Sequence, residues 1–392
     1  MSDSLKTEYG FEIKEWKYKN GDDLQWALPS FNDSTWETTH IDSLDSVFKG
    51  LAWFRCKLIF DPALKNNSLS FTILQTGASE LYLDGHLLKQ SGTVSDNNEK
   101  EVRWDTHAIP VAFNYSPGKV HEIAVRYSNH DKEHSYTSRG KIDQGFSLRI
   151  VNTNLSFLSE ITISLYTGSL CMLMTTFFLS LGLLHLLIYL FYRKNNSNLY
   201  YFFFTFILGM FPLSILITAN THSFIVSWVS NSIVVLLFPI LFISLLALLN
   251  SIFFEKFLAR FKWQLIAAIA VDVYFYLQGP EGDILLYLFI TYFSIETLVM
   301  IIQAVRKRRK GAKIIGAGVL FFIGFVVVSL IVVTYTMLAK TNVNFAGGVS
   351  AFIIFLALFL SVISIPVSMS IYLAKDFAQT NKNLEKKLIE IE

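Results

Sequence analysis

The chain has 392 residues and a formal net charge of +2; 52% of its residues are hydrophobic, including 35 Phe. The 33 Lys and Arg nearly balance the 31 Asp and Glu, so the composition gives no electrostatic footprint for a nucleic-acid partner. Cys56 and Cys171 are far apart and lack metal-ligand spacing, so we expect no disulfide between them, no metal site and no cofactor.

The first 155 or so residues have short alternating runs that are broken by turn residues. The alternation predicts strands at 53–60, 69–74, 81–83, 120–127 and 146–151. Asp84 and Gly85 form a strong tight-turn signal after the third of them. Several short strands at this spacing predict a β-sandwich. The polar start of the chain lacks the apolar core of a secretory signal, so we expect residue 1 to lie near a mature N-terminus.

Four segments of this region resemble galactose-binding-like jelly rolls, such as those appended to bacterial β-galactosidases. In chain order they read W-A-L-P-S-F-N-D-S-T-W at 26–36, G-L-A-W-F-R at 50–55, G-A-S-E-L-Y-L-D-G at 77–85 and P-G-K-V-H-E-I-A-V-R at 117–126. The resemblance implies a jelly-roll fold. It leaves the ligand open, because a fold does not imply a function.

Catalysis is not expected in this domain, because nothing in the sequence brings two carboxylates together. Ligand binding is favoured, since aromatic rings in loops offer flat faces to sugars and other small molecules. The ligand-binding candidates are Trp104, His107, Tyr115, His130, His134 and Tyr136. Trp26, Trp36 and Trp53 are interpreted as packing residues. The long polar loop at 128–144 either covers a pocket or rests on the rim of the helices.

Beyond residue 155, the chain holds seven stretches with the length and composition of membrane-spanning helices. They lie at 160–192, 198–219, 224–253, 261–279, 283–305, 312–338 and 349–373. Lys and Arg cluster after the first, third and fifth stretches, most densely at 306–310, and the intervening loops carry few of them. Because basic residues are retained on the cytoplasmic side, the pattern places the N-terminal domain outside and the C-terminus inside.

Ionisable residues within the spans are candidates for function, because burying a charge in lipid is costly. Asp272 in the fourth span and Glu296 in the fifth are candidates for an intramembrane switch, with interhelical hydrogen bonding as the alternative. His185 and Asn231 are interpreted as interhelical hydrogen-bonding residues.

The sequence of the seventh span helps to distinguish between classes of seven-helix protein. It has no lysine between residues 349 and 373 to hold retinal, which excludes a rhodopsin. Its exit reads I-Y-L-A-K-D-F-A-Q-T-N at 371–381 and resembles that of bacterial seven-transmembrane receptors with diverse intracellular signalling modules. The resemblance implies an outer jelly-roll sensor, seven helices and a variable cytoplasmic output module.

The last residues keep a heptad pattern after the chain turns polar. The predicted seam consists of Phe377, Asn381, Leu384, Leu388 and Ile391. An Asn within such a seam favours a dimer, so we expect a homodimeric coiled coil; the alternative is a single amphipathic helix on the inner leaflet. The pattern stops abruptly, so we expect it to continue into a kinase, cyclase, phosphatase or diguanylate cyclase, while the chain as given is not expected to be an enzyme.

Together these features predict a multidomain membrane protein of the bacterial inner membrane. It comprises a β-sandwich (jelly roll) sensor domain at 1–155, a seven-helix transmembrane bundle at 156–373 and the start of a coiled coil at 374–392. The favoured function is a signalling receptor for an extracytoplasmic ligand, with a carbohydrate-like molecule as one candidate. A channel or transporter that uses Asp272 and Glu296 is the alternative. An integral-membrane enzyme is disfavoured, because no loop carries a nucleophile constellation or a Gly-rich phosphate loop.

Overall fold

The structure is a computed structural model that describes residues 10–41, 48, 50–130, 136–137, 140–141, 145–193, 196–254, 257–278, 283–338 and 348–391. Within these ranges, no side chain is described at 136–137, 140–141, 275–278, 283–284, 286–287, 326–327, 329–338, 348–356, 358, 387–388 and 391. The chain forms two compact units. The first comprises Met1–Ser169 and Ser214–Ser232, and the second Leu170–Leu213 and Ile233–Glu392.

The first unit contains the strands, and all pairings among the described strands are antiparallel. One sheet has the order β3-β2-β4-β9-β6-β7, a second has the order β1-β12-β5-β8, and β10 and β11 form a short separate ribbon. The strands are β1 (Phe11–Ile13), β2 (Glu15–Asn20), β3 (Glu37–His40), β4 (Leu51–Ile59), β5 (Leu69–Gln75), β6 (Ala78–Leu83), β7 (His86–Ser91), β8 (Val111–Ala112), β9 (Val120–Ser128), β10 (Tyr136–Thr137), β11 (Gly140–Lys141) and β12 (Phe146–Asn152).

The two larger sheets share one buried core. Phe54 and Val125 from the first sheet join Phe71 and Leu148 from the second in a single apolar cluster. Side chains alternate between faces along a strand, so the residues between these inward positions point to the outer face of their sheet. The predicted sandwich of strands is therefore present, whereas the jelly-roll connectivity remains a prediction.

The five strands predicted from alternation are confirmed as β4, β5, β6, β9 and β12. The tight turn between β6 and β7 is also confirmed: Asp84 has φ +50° and Gly85 has φ +83°. An aspartate tolerates this left-handed region and a glycine enters it at no steric cost, which is why this pair specifies the turn.

The outer face of the six-stranded sheet is covered by the segment between β2 and β3. Trp26 and Trp36 of this segment meet edge to face at 5.2 Å and form a second apolar cluster with Trp53 of β4. The packing role predicted for these three tryptophans is confirmed.

Seven helices follow the strands in the described part of the chain. They are α1 (Thr153–Phe191), α2 (Ser197–Asn220), α3 (Phe224–Phe253), α4 (Arg260–Gln278), α5 (Asp283–Arg306), α6 (Ala312–Leu338) and α7 (Gly348–Ile391). Over the described residues, five of them are long and apolar enough to cross a membrane: α1, α2, α3, α5 and α7. The described apolar part of α6 is shorter, at Ala312–Phe325.

The second unit has an apolar core built from several helices, including Tyr201 of α2, Phe293 of α5 and Met369 of α7. Helices α6 and α7 approach closely at Gly318, where an added Cβ would lie 2.5 Å from the Ser364 carbonyl oxygen. A larger residue at this position would force the two backbones apart. α7 is continuous over 44 residues and contains Pro366.

Candidate functional site

The outer face of the six-stranded sheet has an opening where β2 and β4 separate. The two strands pair from Asn20↔Ala52 to Lys17↔Arg55, and no pairing is described beyond that point. A cavity of about 260 Å³ lies there. Its lining residues come from three strands and the covering segment: Glu15, Trp16, Lys17, Asp33, Thr38, Arg55, Cys56 and Lys57.

The fully buried Arg55 organises the floor of this cavity. Its guanidinium donates to the carbonyl oxygens of Trp26 and Leu28 in the covering segment. Its Nε donates to Asp33 Oδ2 at 3.1 Å, and its Nη2 lies 3.1 Å from Glu122 Oε1 in an ion pair that is not aligned as a hydrogen bond. A buried charge needs such compensation, and here two carboxylates and two carbonyls supply it.

The pKa values of the two carboxyl groups on Arg55 are shifted in opposite directions. Burial alone would raise the pKa of Asp33, but hydrogen bonds from Lys17 and Arg55 hold it below its ordinary value. Burial raises the pKa of Glu122, and the charges of Arg55 and Lys57 offset this only in part. Asp33 is therefore the firmer counter-ion of the pair.

A second polar arrangement in the first unit connects the strands to the α2–α3 connection. The Trp104 ring stacks on the His222 ring at 4.9 Å with an interplanar angle of 10°. His222 Nδ1 donates to the Asp105 carbonyl oxygen at 2.7 Å, and Asp105 N donates to the His222 carbonyl oxygen at 3.1 Å. His107 Nε2 donates to the Thr221 carbonyl oxygen at 2.7 Å.

The structure thus brings two of the predicted ligand-binding residues together, and both contact the connection between α2 and α3. Trp104 and His107 both face residues 221–223. Tyr115 lies elsewhere: it packs on Phe60, and its hydroxyl donates to the carbonyl oxygens of Leu64 and Asn67. Ligand binding at these three residues stays a prediction.

The remaining predicted ligand residues are described only in part. His130 Nε2 donates to the Ser95 carbonyl oxygen at 2.9 Å and lies 3.9 Å from Glu101 Oε2. Burial raises the pKa of Glu101, so its carboxyl group holds a proton more firmly than it would in water. His134 lies outside the described residues, and for Tyr136 only its backbone in β10 is described.

The two intramembrane candidates have different surroundings. Glu296 of α5 is buried and pairs with Arg260 at the start of α4, with Arg260 Nε 2.7 Å from Glu296 Oε1; the two atoms are not aligned as a hydrogen bond. Asp272 lies about 18 Å further along α4, at about 1.5 Å per residue. Its buried Oδ1 makes no hydrogen bond within the described part of the chain.

The interhelical hydrogen bonds predicted for His185 are present, and they join α1, α2 and α7. His185 Nδ1 donates to Asn198 Oδ1 at 2.8 Å, and its Nε2 lies 3.1 Å from Ser370 Oγ. The His185 ring also packs on Tyr201 at 4.0 Å, and the Tyr201 hydroxyl donates to the Pro366 carbonyl oxygen at 2.8 Å. α2 therefore contacts α7 directly through Tyr201, and Asn198 is linked to α7 indirectly, through His185 of α1.

The predicted coiled-coil seam lies on α7. Phe377 and Leu384 are exposed, and Asn381 is exposed beside them. Leu388 and Ile391 belong to the same helix, but their side chains lie outside the description. Among the described residues, no cluster of three or more His, Cys, Asp or Glu is placed to hold a metal ion.

Comparisons with known proteins give similarity over one part of the chain. No protein-family model matches it, and no curated protein sequence does. A glycosyl hydrolase family 2 member from Bacteroides cellulosilyticus DSM 14838 is similar over 36% of this chain and 20% of its own, at 17% identity and a TM-score of 0.26. The Bacteroides uniformis β-glucuronidase is similar over 36% of this chain and 17% of its own, at 18% identity and a TM-score of 0.24. Likenesses at this level carry no argument about fold or activity here.

Sequence reasoning missed the cavity residues Arg55 and Lys57 and their ion-pair partner Glu122. The signal was present in β4, where Trp53, Arg55 and Lys57 alternate with apolar residues and therefore share the outer face. What the pattern does not supply is the partner on another strand: Glu122 is brought next to Lys57 only by the β4–β9 register.

Proposed function

We propose that this chain is a bacterial inner-membrane receptor. The strand domain senses an extracytoplasmic ligand, the seven helices relay the signal, and paired cytoplasmic ends of α7 deliver it to an output module. The chain binds no nucleic acid, and its partners are the bilayer, a second copy of itself and the ligand.

The observation that carries the proposal is the placement of α2 between two polar contacts. Just beyond its C-terminal end, Thr221 and His222 bond to the strand domain. Near its N-terminal end, Asn198 and Tyr201 connect it to α7 through His185 and Pro366. One helix with polar contacts to the strand domain at one end and to α7 at the other supports a route for a signal through α2, which contains Pro212.

α7 is long enough to leave the membrane without a break. At about 1.5 Å per residue its 44 residues extend about 66 Å, whereas a hydrocarbon core is about 30 Å thick. The part beyond the bilayer carries Phe377, Asn381 and Leu384, whose exposure in the single chain leaves this face open to a partner helix. We propose that the partner is the same helix of a second copy, paired as a coiled coil.

The orientation follows from the charges that flank the helices. The dense basic block at 306–310 follows α5, and the connection after α2 contains no Lys or Arg. Basic residues are retained in the cytoplasm, so the proposed receptor has its strand domain outside and the end of α7 inside.

Cysteine cross-linking tests the paired exit. In a background with Cys56→Ala and Cys171→Ser, Leu384→Cys should form disulfide-linked dimers in membranes. Lys382→Cys, two residues away on the opposite face of the helix, is the matched control and should cross-link poorly. Equal yields at both positions, or monomers at both, would contradict the proposed pairing.

A channel or transporter is the second candidate, and the buried Oδ1 of Asp272 that lacks a hydrogen bond is the observation in its favour. A carboxyl in a span is costly unless it has a role or a partner. Asp272→Asn and Glu296→Gln should abolish ion flux into proteoliposomes if the two residues line a path. If wild-type chains conduct nothing above protein-free vesicles, this second candidate is wrong.

A further inference from the structure

The cavity between β2 and β4 has the features of a binding site for a small organic anion. We propose that it binds a small hydroxylated carboxylate, such as a sugar acid or a hydroxy acid. The proposal deepens the receptor hypothesis, because it names the ligand class that the strand domain senses. It rests on the cavity geometry and not on the loop aromatics predicted from the sequence.

The floor of the cavity is rigid and its charges are already paired. Arg55 and Asp33 are buried, and they bond to each other and to the covering segment, and Lys17 Nζ donates to Asp33 Oδ1 at 2.7 Å. These groups shape the cavity and are not available to a ligand. Preorganisation of this kind reduces the entropic cost of binding.

The mouth of the cavity carries the groups that remain available. The Lys57 side chain is 58% exposed, and its Nζ lies 3.9 Å from Glu122 Oε2, beyond hydrogen-bond distance. Its ammonium can therefore donate hydrogen bonds to a ligand carboxylate, because it has no hydrogen bond to Glu122 that must first be broken. Thr38 and Glu15 are exposed on the same lining and offer a hydroxyl and a carboxylate oxygen to ligand hydroxyl groups.

The aromatic content of the cavity excludes recognition of a neutral sugar by stacking. Among the described residues that line it, Trp16 is the one aromatic, and it is 1% exposed because its ring lies in the sandwich core. Selectivity must therefore come from charge and hydrogen bonds. The volume, about 260 Å³, is below the roughly 300–1,000 Å³ of sites for drug-sized molecules and suits a molecule of monosaccharide size.

The test is calorimetric titration of the full chain in nanodiscs. The probes are D-galacturonate, D-gluconate and L-malate, and the controls are D-galactose and inorganic phosphate. D-galactose differs from D-galacturonate only at the carboxylate, and phosphate is an anion without carbon-bound hydroxyl groups. We expect at least one of the three carboxylates to bind, and to bind more tightly than either control.

Variants of one lysine locate the binding. Lys57→Met should weaken binding of that carboxylate about tenfold, the loss expected for a charge-assisted hydrogen bond, and Lys57→Arg should retain most of it. Lys119→Met removes the same charge from an exposed position outside the lining and should leave binding unchanged. The thermal midpoint of each variant shows that it is folded.

Several results would overturn the proposal: no binding of any of the three carboxylates, equal binding of D-galactose, equal binding of phosphate, or unchanged affinity in Lys57→Met. These results are separate from those that test the receptor hypothesis. Cross-linking at Leu384 needs no ligand, so an empty cavity with paired α7 helices refutes only the site, whereas binding without pairing refutes the receptor.

Discussion

The strand domain and the helices of the second unit differ in how completely their buried charged side chains are paired. In the strand domain, Arg55 is surrounded by two carboxylates and two carbonyl oxygens, and the side chains of Arg55, Asp33 and Glu122 are buried. In the second unit, Glu296 has a single basic partner, and Asp272 Oδ1 has no described hydrogen bond. A densely paired network favours one geometry, whereas sparsely paired groups leave room for a second arrangement. From this comparison we expect the strand domain to contribute stability and the helices to contain the proposed switch.

The largest expected effect comes from removing Arg55, the centre of the buried charge network. Arg55→Met leaves Asp33, Glu122 and the carbonyls of the covering segment without their donor, so the strand domain should lose about 3–5 kcal/mol of stability. Thermal unfolding followed by tryptophan fluorescence checks this, since Trp26 and Trp53 lie at the site. Lys65→Met, at an exposed position, is the control. A normal midpoint for Arg55→Met would show that the network does not hold the covering segment.

A smaller effect with a defined pH dependence is expected at Asp33. Its pKa is lowered in the folded chain, so its contribution is present above the unfolded value of about 3.9 and is lost as the pH falls through the folded value. Asp33→Asn should therefore destabilise the strand domain by about 2 kcal/mol near neutral pH. The difference from wild type should shrink steadily below about pH 4. A difference that stays constant down to pH 2 would show that the carboxylate charge contributes nothing.

The smallest effect concerns the contact of α2 with α7. Tyr201→Phe removes the hydroxyl that donates to the Pro366 carbonyl oxygen and should cost about 1 kcal/mol, the usual value for an interhelical hydrogen bond in a membrane. Denaturation of the helices in mixed micelles measures this loss of stability. Tyr189→Phe on α1, which also removes one tyrosine hydroxyl, is the control. If both variants lowered the stability equally, the hydrogen bond from Tyr201 to Pro366 would make no specific contribution to it.

Much of the fold was accessible from the sequence, because it depends on local patterns. The alternation of apolar residues predicted five strands, Asp84 and Gly85 predicted a turn, and the length of the apolar stretches predicted the seven helices. The contacts on which the proposed function rests were not accessible, because they join residues far apart in the chain. His107 meets Thr221 across 114 positions, and no periodicity encodes that pairing. Loop aromatics that suggested a ligand site therefore include two residues that contact the α2–α3 connection instead.

The most direct test of the account is whether the contact at Trp104 controls the pairing of α7. Trp104→Ala and His222→Ala remove the stacked rings at one end of α2, and both should change the cross-linking yield of Leu384→Cys in the same direction. Ile109→Ala removes an exposed apolar side chain close by in the same domain and should leave the yield unchanged. If all three variants cross-link like the parent chain, α2 does not carry a signal from the strand domain to α7.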